Sequence, residues 1–265
     1  MSQVTLTDLQ KHRENNTKFS MVTAYDACFS SLASNAGIDS ILVGDSLGMV
    51  LQGHSNTLPV TIQDIAYHTA CVVAAAPKSM IISDMPFMAA ATMQEATIAA
   101  RALSQAGAQM IKIEGGKNLL DLIKLYQDHG VATCCHLGLT PQFVHRFGGY
   151  KVQGKTQEAA DRLVETAEIL NKAGSDVILL ECIPNSVTER IMKVTNIPVV
   201  GIGAGPLCTG QVLVMHDLLG ITPGNPARFV RNFMAENKSI QEAFRAYDRA
   251  IKDGSFPAME HCFAD

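Results

Sequence analysis

Short apolar runs recur along the whole chain, and stretches with helical spacing separate most of them. Continuous runs rich in Val, Ile and Leu are typical of strands buried on both faces of a parallel sheet. Eight runs fit this pattern, at residues 19–25, 40–45, 80–86, 109–115, 131–138, 176–182, 197–203 and 211–217. Helical spacing is clearest at residues 61–76, 92–105, 118–129 and 157–173. The order predicts a repeated unit in which a helix follows each strand.

The junctions between these elements favour the same architecture. Glycines that suit the left-handed end of a helix stand shortly before four of the runs, at Gly37, Gly107, Gly130 and Gly174. Eight units favour an α/β fold, a (β/α)₈ TIM barrel, over an open doubly wound sheet, because residues 21–29 lack a glycine-rich phosphate fingerprint. The tail, residues 227–237 and 239–254, predicts closing C-terminal helices.

Length and charge narrow the function. The chain has 265 residues, the usual size of such a barrel, so residues 1–265 are expected to form a single catalytic domain. A net charge of −4 without a basic run argues against a nucleic-acid partner. The first sixteen residues resemble neither a signal peptide nor a membrane span, so we expect a cytoplasmic protein without a membrane partner. Seven cysteines without a C-x-x-C motif suggest reduced, packed thiols.

Polar side chains end several of the apolar runs, where a (β/α)₈ barrel carries its chemistry. Five runs have an ionisable group there, namely Asp45, Asp84, Glu114, His136 and Glu181. Lys112 shares one side of its strand with Glu114, because side chains alternate with period two. A single carboxylate of this kind usually caps a helix or pairs with a lysine. Four at one rim would repel one another unless a cation neutralised them, and oxygen ligands favour Mg²⁺ over Zn²⁺.

Ten longer motifs extend through nearly the whole chain. They are TAYD (23–26), VGDSLGMVLQGHSNTLPVT (43–61), AYHT (66–69), DMPFM (84–88), KIEGG (112–116), HLGLTPQ (136–142), FGGYKVQG (147–154), LEC (180–182), GIGAG (201–205) and GQVLVMHD (210–217). Together they resemble the ketopantoate hydroxymethyltransferase (3-methyl-2-oxobutanoate hydroxymethyltransferase) family. That family usually has Asp before GQ, where this chain has Thr209, so Thr209 is assigned no role.

The resemblance implies roles for the rim residues. The implied metal ligands are Asp45, Asp84 and Glu114, the last directly or through a water molecule. The implied substrate-binding residues are Asp45, Ser46, Asp84, Lys112 and His136. Glu181 is the implied catalytic base, and exclusion of water around it is expected to raise its pKa towards a value suited to accepting a proton.

The resemblance also implies a reaction. The chain would transfer a hydroxymethyl group from 5,10-methylenetetrahydrofolate to 3-methyl-2-oxobutanoate, giving ketopantoate and tetrahydrofolate for pantothenate and coenzyme A synthesis. Mg²⁺ at the keto oxygen of the substrate would stabilise the developing enolate. The expected partners are these small molecules and further copies of the chain, in a homo-oligomer that is typically a decamer.

Some features have competing interpretations. Residues 149–156, GYKVQGKT, match a P-loop pattern, but the preceding apolar run ends at residue 138, whereas a P-loop directly follows a strand. Residues 138–154 form a long connection that fits a mobile lid over the site and an ordinary solvent-exposed loop equally well. His54 and His68 are expected to be structural.

Two other function classes stay open at this point. One class consists of 2-oxo acid lyases and phosphonate-forming mutases, which would use the same barrel, metal and enolate. Dependence on methylenetetrahydrofolate would distinguish this chain from them. A binding or scaffold protein with a relict site would lack some rim groups, and none is missing.

Overall fold

Eight parallel strands close into a barrel in the computed structural model, which describes residues 3–76 and 78–264. The strands are β1 (Phe19–Thr23), β2 (Ser40–Val43), β3 (Met80–Asp84), β4 (Met110–Glu114), β5 (Ala132–Gly138), β6 (Val177–Glu181), β7 (Val199–Ile202) and β8 (Gly210–Leu213). Each strand pairs with the next along the chain, and β8 pairs with β1. The predicted (β/α)₈ TIM barrel is confirmed.

Helices cover the outside of the barrel. They are α1 (Leu6–Glu14), α2 (Ala27–Ala36), α3 (Leu47–Val50), α4 (Ile62–Val73), α5 (Met93–Gln105), α6 (Leu120–Asp128), α7 (Val144–Phe147), α8 (Gln157–Lys172), α9 (Asn185–Val194), α10 (Met215–Leu218) and α11 (Ile240–Lys252). Short 3₁₀ turns lie at Lys117–Leu119, Pro141–Phe143, Phe233–Glu236 and Met259–His261. The four helical stretches predicted from spacing correspond to α4, α5, α6 and α8.

Local sequence signals explain where these helices begin and end. The side chains of Thr61, Thr92 and Thr156 each accept a hydrogen bond from a backbone N–H in the first turn of the helix that follows. The four glycines predicted at helix ends all have positive φ, between 74° and 105°. Strands β2, β4, β5 and β6 therefore each start shortly after a helix that ends at a left-handed glycine.

Two sequence expectations are wrong. No helix separates β7 from β8, because the linking residues 203–209 form a short glycine-containing turn. Residues 227–237 form no α-helix either and contain only the 3₁₀ turn Phe233–Glu236. The backbone of Asn232 is extended, and its side chain accepts hydrogen bonds from the N–H groups of Met234 and Ala235, which replaces helical pairing.

The closing helix α11 (Ile240–Lys252) is confirmed, and it seals the junction between the first and last strands. The hydroxyl of Tyr247, which is fully buried, lies 2.9 Å from the carbonyl oxygen of Met21 on β1 and 3.1 Å from that of Gln211 on β8. All seven cysteines are unpaired, and five are buried. No helix in residues 3–76 or 78–264 is long and apolar enough to cross a membrane.

Candidate active site

Strand register brings the predicted rim residues to one end of the barrel. Asp84, the last residue of β3, lies level with Lys112 on β4, and Glu114 lies level with His136 on β5. Glu181 is the last residue of β6. A cavity of about 150 Å³, here called the mouth cavity, is lined by residues that include Asp45, Ser46, Asp84, Lys112, His136 and Glu181. Glu114 lies beside this cavity and contacts two of its lining residues, Lys112 and His136.

Two buried aspartates lie against each other at the mouth cavity. The backbone N–H of Asp45 donates to Oδ2 of Asp84 at 3.0 Å, and Nζ of Lys112 lies 2.5 Å from Oδ1 of Asp84. Burial raises the pKa of Asp45 well above its ordinary value, and the negative charge of Asp84 raises it further. The free carboxylate of Asp45 is therefore unstable here unless a positive charge compensates it.

Lys112 is the cation of this group. Its ammonium contacts Asp84 and lies 3.8 Å from Oε1 of Glu114. Burial alone lowers the pKa of Lys112, but the charges of Asp84, Glu114 and Asp45 outweigh burial and raise it. Lys112 is thus charged at neutral pH. One charged lysine cannot balance four carboxyl groups.

His136 lies between two of these carboxyl groups. Its Nδ1 lies 3.3 Å from Oε1 of Glu114, and its Nε2 lies 3.3 Å from Oε2 of Glu181. Burial lowers the pKa of His136, and the charge of Lys112 lowers it further, so the imidazole is neutral. Neither ring nitrogen nor Oε1 of Glu114 has a hydrogen bond of good geometry within the described structure. These buried polar atoms are available to a ligand.

The carboxyl group of Glu181 lies in a largely water-excluded position. Its side chain is 16% exposed, and burial raises its pKa above the ordinary value, although His136 counteracts this. Glu114 behaves similarly, because burial raises its pKa to about 7. The pKa of Glu181 is thus raised in the direction that the sequence analysis expects for this position.

Ser46 lines the mouth cavity, and the fully buried Tyr25 contacts it. Their hydroxyl oxygens lie 2.8 Å apart, and the hydroxyl of Tyr25 also donates to Oγ1 of Thr23 at 2.8 Å. This chain of hydroxyls fixes the orientation of Ser46 and leaves it half-buried at the cavity wall. Because the one hydroxyl hydrogen of Tyr25 is donated to Thr23, Ser46 donates to Tyr25 in this arrangement, and rotation of the Ser46 hydroxyl would let it donate to a polar ligand instead.

Sequence reasoning assigned no role to Gln142, although it lies in the motif HLGLTPQ. Its side-chain amide donates to Oδ2 of Asp45 and to the carbonyl oxygen of Met85, both at 2.9 Å. Its backbone N–H donates to Oε2 of Glu114 at 3.0 Å. Gln142 thus connects two of the predicted metal ligands. Its position after a barrel strand was the only available signal.

The donor set of the mouth cavity fits a hard divalent cation. Among the described residues, no three His, Cys, Asp or Glu side chains are arranged to enclose a metal ion. Asp45 and Asp84 nevertheless give two adjacent buried carboxylates with excess negative charge. Mg²⁺ typically binds through one or two carboxylates and takes its other ligands from water and substrate. The carboxylates of Asp45 and Asp84 therefore fit a Mg²⁺ site that is completed by water and substrate better than a site in which every ligand comes from the protein.

The remaining sequence features have clear positions. Residues 149–156 do not follow a strand, because β5 ends at Gly138 and α7 intervenes, so this segment lacks the context of a P-loop. His68 lies on α4, where its Nδ1 is 2.6 Å from the carbonyl oxygen of Tyr25, consistent with a structural role. His54 lies in an exposed loop, and Thr209 is buried directly before the first residue of β8.

Comparison with known proteins adds to this geometry. A family model described as ketopantoate hydroxymethyltransferase matches residues 3–259. The 3-methyl-2-oxobutanoate hydroxymethyltransferase of Alcanivorax borkumensis is 54% identical over 98% of this chain and 99% of its own length. The enzyme of that name from Janthinobacterium sp. (strain Marseille) is 54% identical over 98% of this chain and 96% of its own length.

Solved structures of other proteins share the fold. Phosphonopyruvate hydrolase in complex with oxalate and Mg²⁺ has a TM-score of 0.64 at 13% identity, covering 96% of this chain and 99% of its own. A 2,3-dimethylmalate lyase has a TM-score of 0.59 at 15% identity, covering 81% of each chain. At sequence identities this low, the structural similarity shows a shared barrel fold and nothing about function.

Proposed function

The chain belongs to the ketopantoate hydroxymethyltransferase family and is an enzyme of that activity, and we propose that it carries out the reaction in the mouth cavity. The substrate is 3-methyl-2-oxobutanoate, and the one-carbon donor is 5,10-methylenetetrahydrofolate. The observation that carries the proposal is that Glu181 and the aspartate pair line the same small cavity. We place the whole reaction in one catalytic domain, residues 1–265.

Asp45 and Asp84 would hold Mg²⁺, and Glu114 would complete the site, directly or through a water molecule. When bound, Mg²⁺ supplies electrostatic stabilisation of the negative charge that develops on the keto oxygen of the substrate. The adjacent buried carboxylates and the raised pKa of Asp45 support this assignment. Lys112 limits the excess negative charge and keeps Asp84 oriented.

Three side chains would position the oxo acid. The Lys112 ammonium offers its positive charge, Ser46 offers a hydroxyl held by Tyr25, and His136 offers a neutral ring nitrogen. A branched five-carbon acid is small enough for a cavity of about 150 Å³. Apolar wall residues such as Leu42, Leu179 and Val212 would contact its methyl groups.

Glu181 would remove the proton from C3 of the substrate. Its burial raises its pKa and so makes the carboxylate a stronger base than an exposed glutamate. His136 lies 3.3 Å away and can donate a hydrogen bond that orients the carboxylate. The carbanion at C3 then forms a carbon–carbon bond with the methylene group of the donor. The methylene carbon must then exchange its remaining bond to the folate nitrogen for a bond to oxygen. The C–N bond breaks, the nitrogen takes a proton from water and leaves as tetrahydrofolate, and the hydroxyl of the same water stays on the carbon now attached to C3.

Deuterium exchange at C3 tests the proton-removal step separately from carbon transfer. In D₂O with Mg²⁺ and without folate, we expect the enzyme to exchange the C3 hydrogen of 3-methyl-2-oxobutanoate for deuterium. This exchange should stop when EDTA removes the metal. NMR of the substrate would follow the reaction. Lack of exchange with Mg²⁺ present would contradict the role of Glu181. Product formation only with methylenetetrahydrofolate would separate this activity from lyase and mutase chemistry.

The remaining proposals concern partners and location. We propose that the chain acts in the cytoplasm as a homo-oligomer, with a decamer as the state that the family resemblance implies. Exposed apolar side chains on and before α5, among them Phe87, Met88 and Ile98, support self-association. Sedimentation of the purified protein would give the number of subunits.

A further inference from the structure

A second cavity adjoins the mouth cavity. It measures about 360 Å³ and is bounded by residues 138–154, by α8 and by the turn after β4. His136 lines both cavities, so they meet at a residue of the site. Residues 138–154 form a wall of each, with Pro141 and Tyr150 at the mouth cavity and Phe143 and Phe147 at the second one.

Two arginines line this second cavity without ion-pair partners. Arg146 lies on α7 and Arg162 on α8, and both are exposed. Neither guanidinium forms an ion pair within 4 Å in the described part of the chain. The acidic neighbours of Arg162 are largely engaged elsewhere, because Asp161 pairs with Arg190 and Glu165 pairs with Lys117. Glu158, one helical turn before Arg162, is the remaining carboxylate on this face.

Aromatic side chains line the same cavity as these cations. The rings of Phe143 and Phe147 are 6.2 Å apart at a tilt of 32°, and Phe143 is 38% exposed. Exposed aromatic faces of this kind offer contact area to another flat ring. The cavity therefore combines two aromatic rings with two positive charges.

This combination matches one half of the folate co-substrate. Folate consists of a pterin, an aromatic amide and a glutamate with two carboxylates. The mouth cavity, at about 150 Å³, has room for the oxo acid but not for folate as well. Most of the co-substrate must lie outside it, close enough to present its methylene group to C3.

Other cavities in the described structure do not match. One of about 160 Å³ is lined by Met85, Phe87 and Glu114 among others, and contains no lysine or arginine. Another, of about 420 Å³, lies between α5 and α6 and contains no rim residue. The second cavity is the one of these that has cations and also borders the site.

We propose that the second cavity binds the benzoylglutamate half of methylenetetrahydrofolate, with Phe143 and Phe147 against the benzoyl ring and Arg146 and Arg162 on the glutamate carboxylates. The inference rests on the proposed function. Arginine suits this task, because its planar guanidinium can form two parallel hydrogen bonds to one carboxylate. Additional glutamates on a polyglutamyl folate would extend towards solvent along α8.

The test compares the double variant Arg146→Gln/Arg162→Gln with wild type in steady-state kinetics. The KM for methylenetetrahydrofolate should rise roughly tenfold, because two charge-assisted contacts are lost. The KM for 3-methyl-2-oxobutanoate and the rate of folate-free C3 exchange should stay unchanged. Arg146→Lys/Arg162→Lys keeps the charges and should recover part of the affinity. The control Arg245→Gln/Arg249→Gln removes two exposed arginines from α11 and should leave all these constants unaltered.

A fragment provides an independent measurement. Free 4-aminobenzoylglutamate should inhibit competitively against methylenetetrahydrofolate, and the Arg146→Gln/Arg162→Gln variant should lose this inhibition. Inorganic phosphate at the same ionic strength serves as a second probe, and equal inhibition by it would show a general anion site and overturn the proposal. An unchanged folate KM in the double variant would also overturn it. Failure of the proposed function is distinguishable, since it would abolish C3 exchange in the wild-type enzyme.

Discussion

Nε2 of His136 lies 3.3 Å from Oε2 of Glu181. A neutral imidazole carries one N–H, so His136 can donate to Glu181 or, through Nδ1, to Glu114, but not to both. The tautomer with hydrogen on Nε2 orients the base. The other nitrogen can then accept a hydrogen bond from Glu114 in its neutral acid form, which the pKa of about 7 makes accessible near neutral pH. One histidine can thereby link a neutral carboxylic acid to an ionised base.

Replacement of Glu181 by glutamine tests its role as the base. Glu181→Gln should lower turnover by about 10²- to 10⁴-fold, the usual contribution of a positioned general base. Mg²⁺ affinity should be nearly unchanged, because Glu181 is not a proposed ligand. Steady-state rates and calorimetric Mg²⁺ titration measure both effects. Wild-type turnover in this variant would remove the assigned role.

The pH dependence follows from the same group. Burial raises the pKa of Glu181, and only its deprotonated form accepts the C3 proton. Exchange at C3 should therefore fall as pH decreases through a pKa above the ordinary glutamate value. The residual rate of Glu181→Gln should lack this acid limb. The measurement is the exchange rate at saturating substrate and Mg²⁺ between about pH 4 and 8. A wild-type rate that is flat over this range would contradict the assignment.

Asp84→Asn should weaken the binding of Mg²⁺. The substitution removes a ligand charge, and even residues that only support a metal ligand affect affinity by about 10- to 100-fold. We expect a loss of at least about tenfold in isothermal titration. Asp128→Asn is a suitable comparison, because Asp128 forms an exposed pair with Lys124. Unchanged affinity in Asp84→Asn would exclude Asp84 as a ligand.

Gln142→Leu should destabilise the metal-free enzyme. The variant removes the amide that donates to Asp45 and Met85, and leaves a buried carboxyl group with one fewer donor. The free energy of unfolding should fall by about 1–3 kcal/mol in denaturant titrations with EDTA. Gln153→Leu serves as the control, because among residues 3–76 and 78–264 the Gln153 side-chain amide donates only to the nearby carbonyl of Lys151. Equal losses in both variants would argue against a special role for Gln142.

Tyr247→Phe should weaken the closure of the barrel without affecting chemistry. Its hydroxyl contacts backbone carbonyl oxygens on β1 and β8 and is fully buried. Its removal leaves carbonyl groups without that donor and should lower the free energy of unfolding by about 1–2 kcal/mol. Tyr67→Phe changes an exposed tyrosine on α4 and should have no such effect. Reduced turnover in folded Tyr247→Phe would show that the closing helix affects the site.

The barrel was predictable because burial on both faces requires apolar strands, and the sequence shows all eight. The rim residues were predictable for a related reason, since Asp84 and Glu181 are polar exceptions at the ends of such runs. Several apolar runs extend beyond the strands, as residues 80–86 do beyond β3 (Met80–Asp84). The residues after the strand, such as Met85, are also buried and apolar, so the hydrophobic pattern does not mark where the strand ends.

What the sequence did not predict depends on contacts between distant segments. Gln142 reaches Asp45, 97 positions earlier, and no local pattern encodes that contact. The helix expected at residues 227–237 does not form, because the side chains of Phe229 and Phe233 pack against different parts of the protein. Phe229 lines the mouth cavity, whereas Phe233 packs against Tyr247 and Phe256. Helical spacing would place both on one face.

The extended segment that contains Phe229 has a consequence for substrate selection. Phe229 lies over the end of β7, where a side chain at Gly203 would meet its ring at 2.9 Å. One wall of the reaction chamber therefore comes from outside the eight repeating units. A smaller residue at position 229 would enlarge the chamber for longer-branched oxo acids while every strand kept its register. Substrate range and barrel architecture can thus diverge independently in evolution.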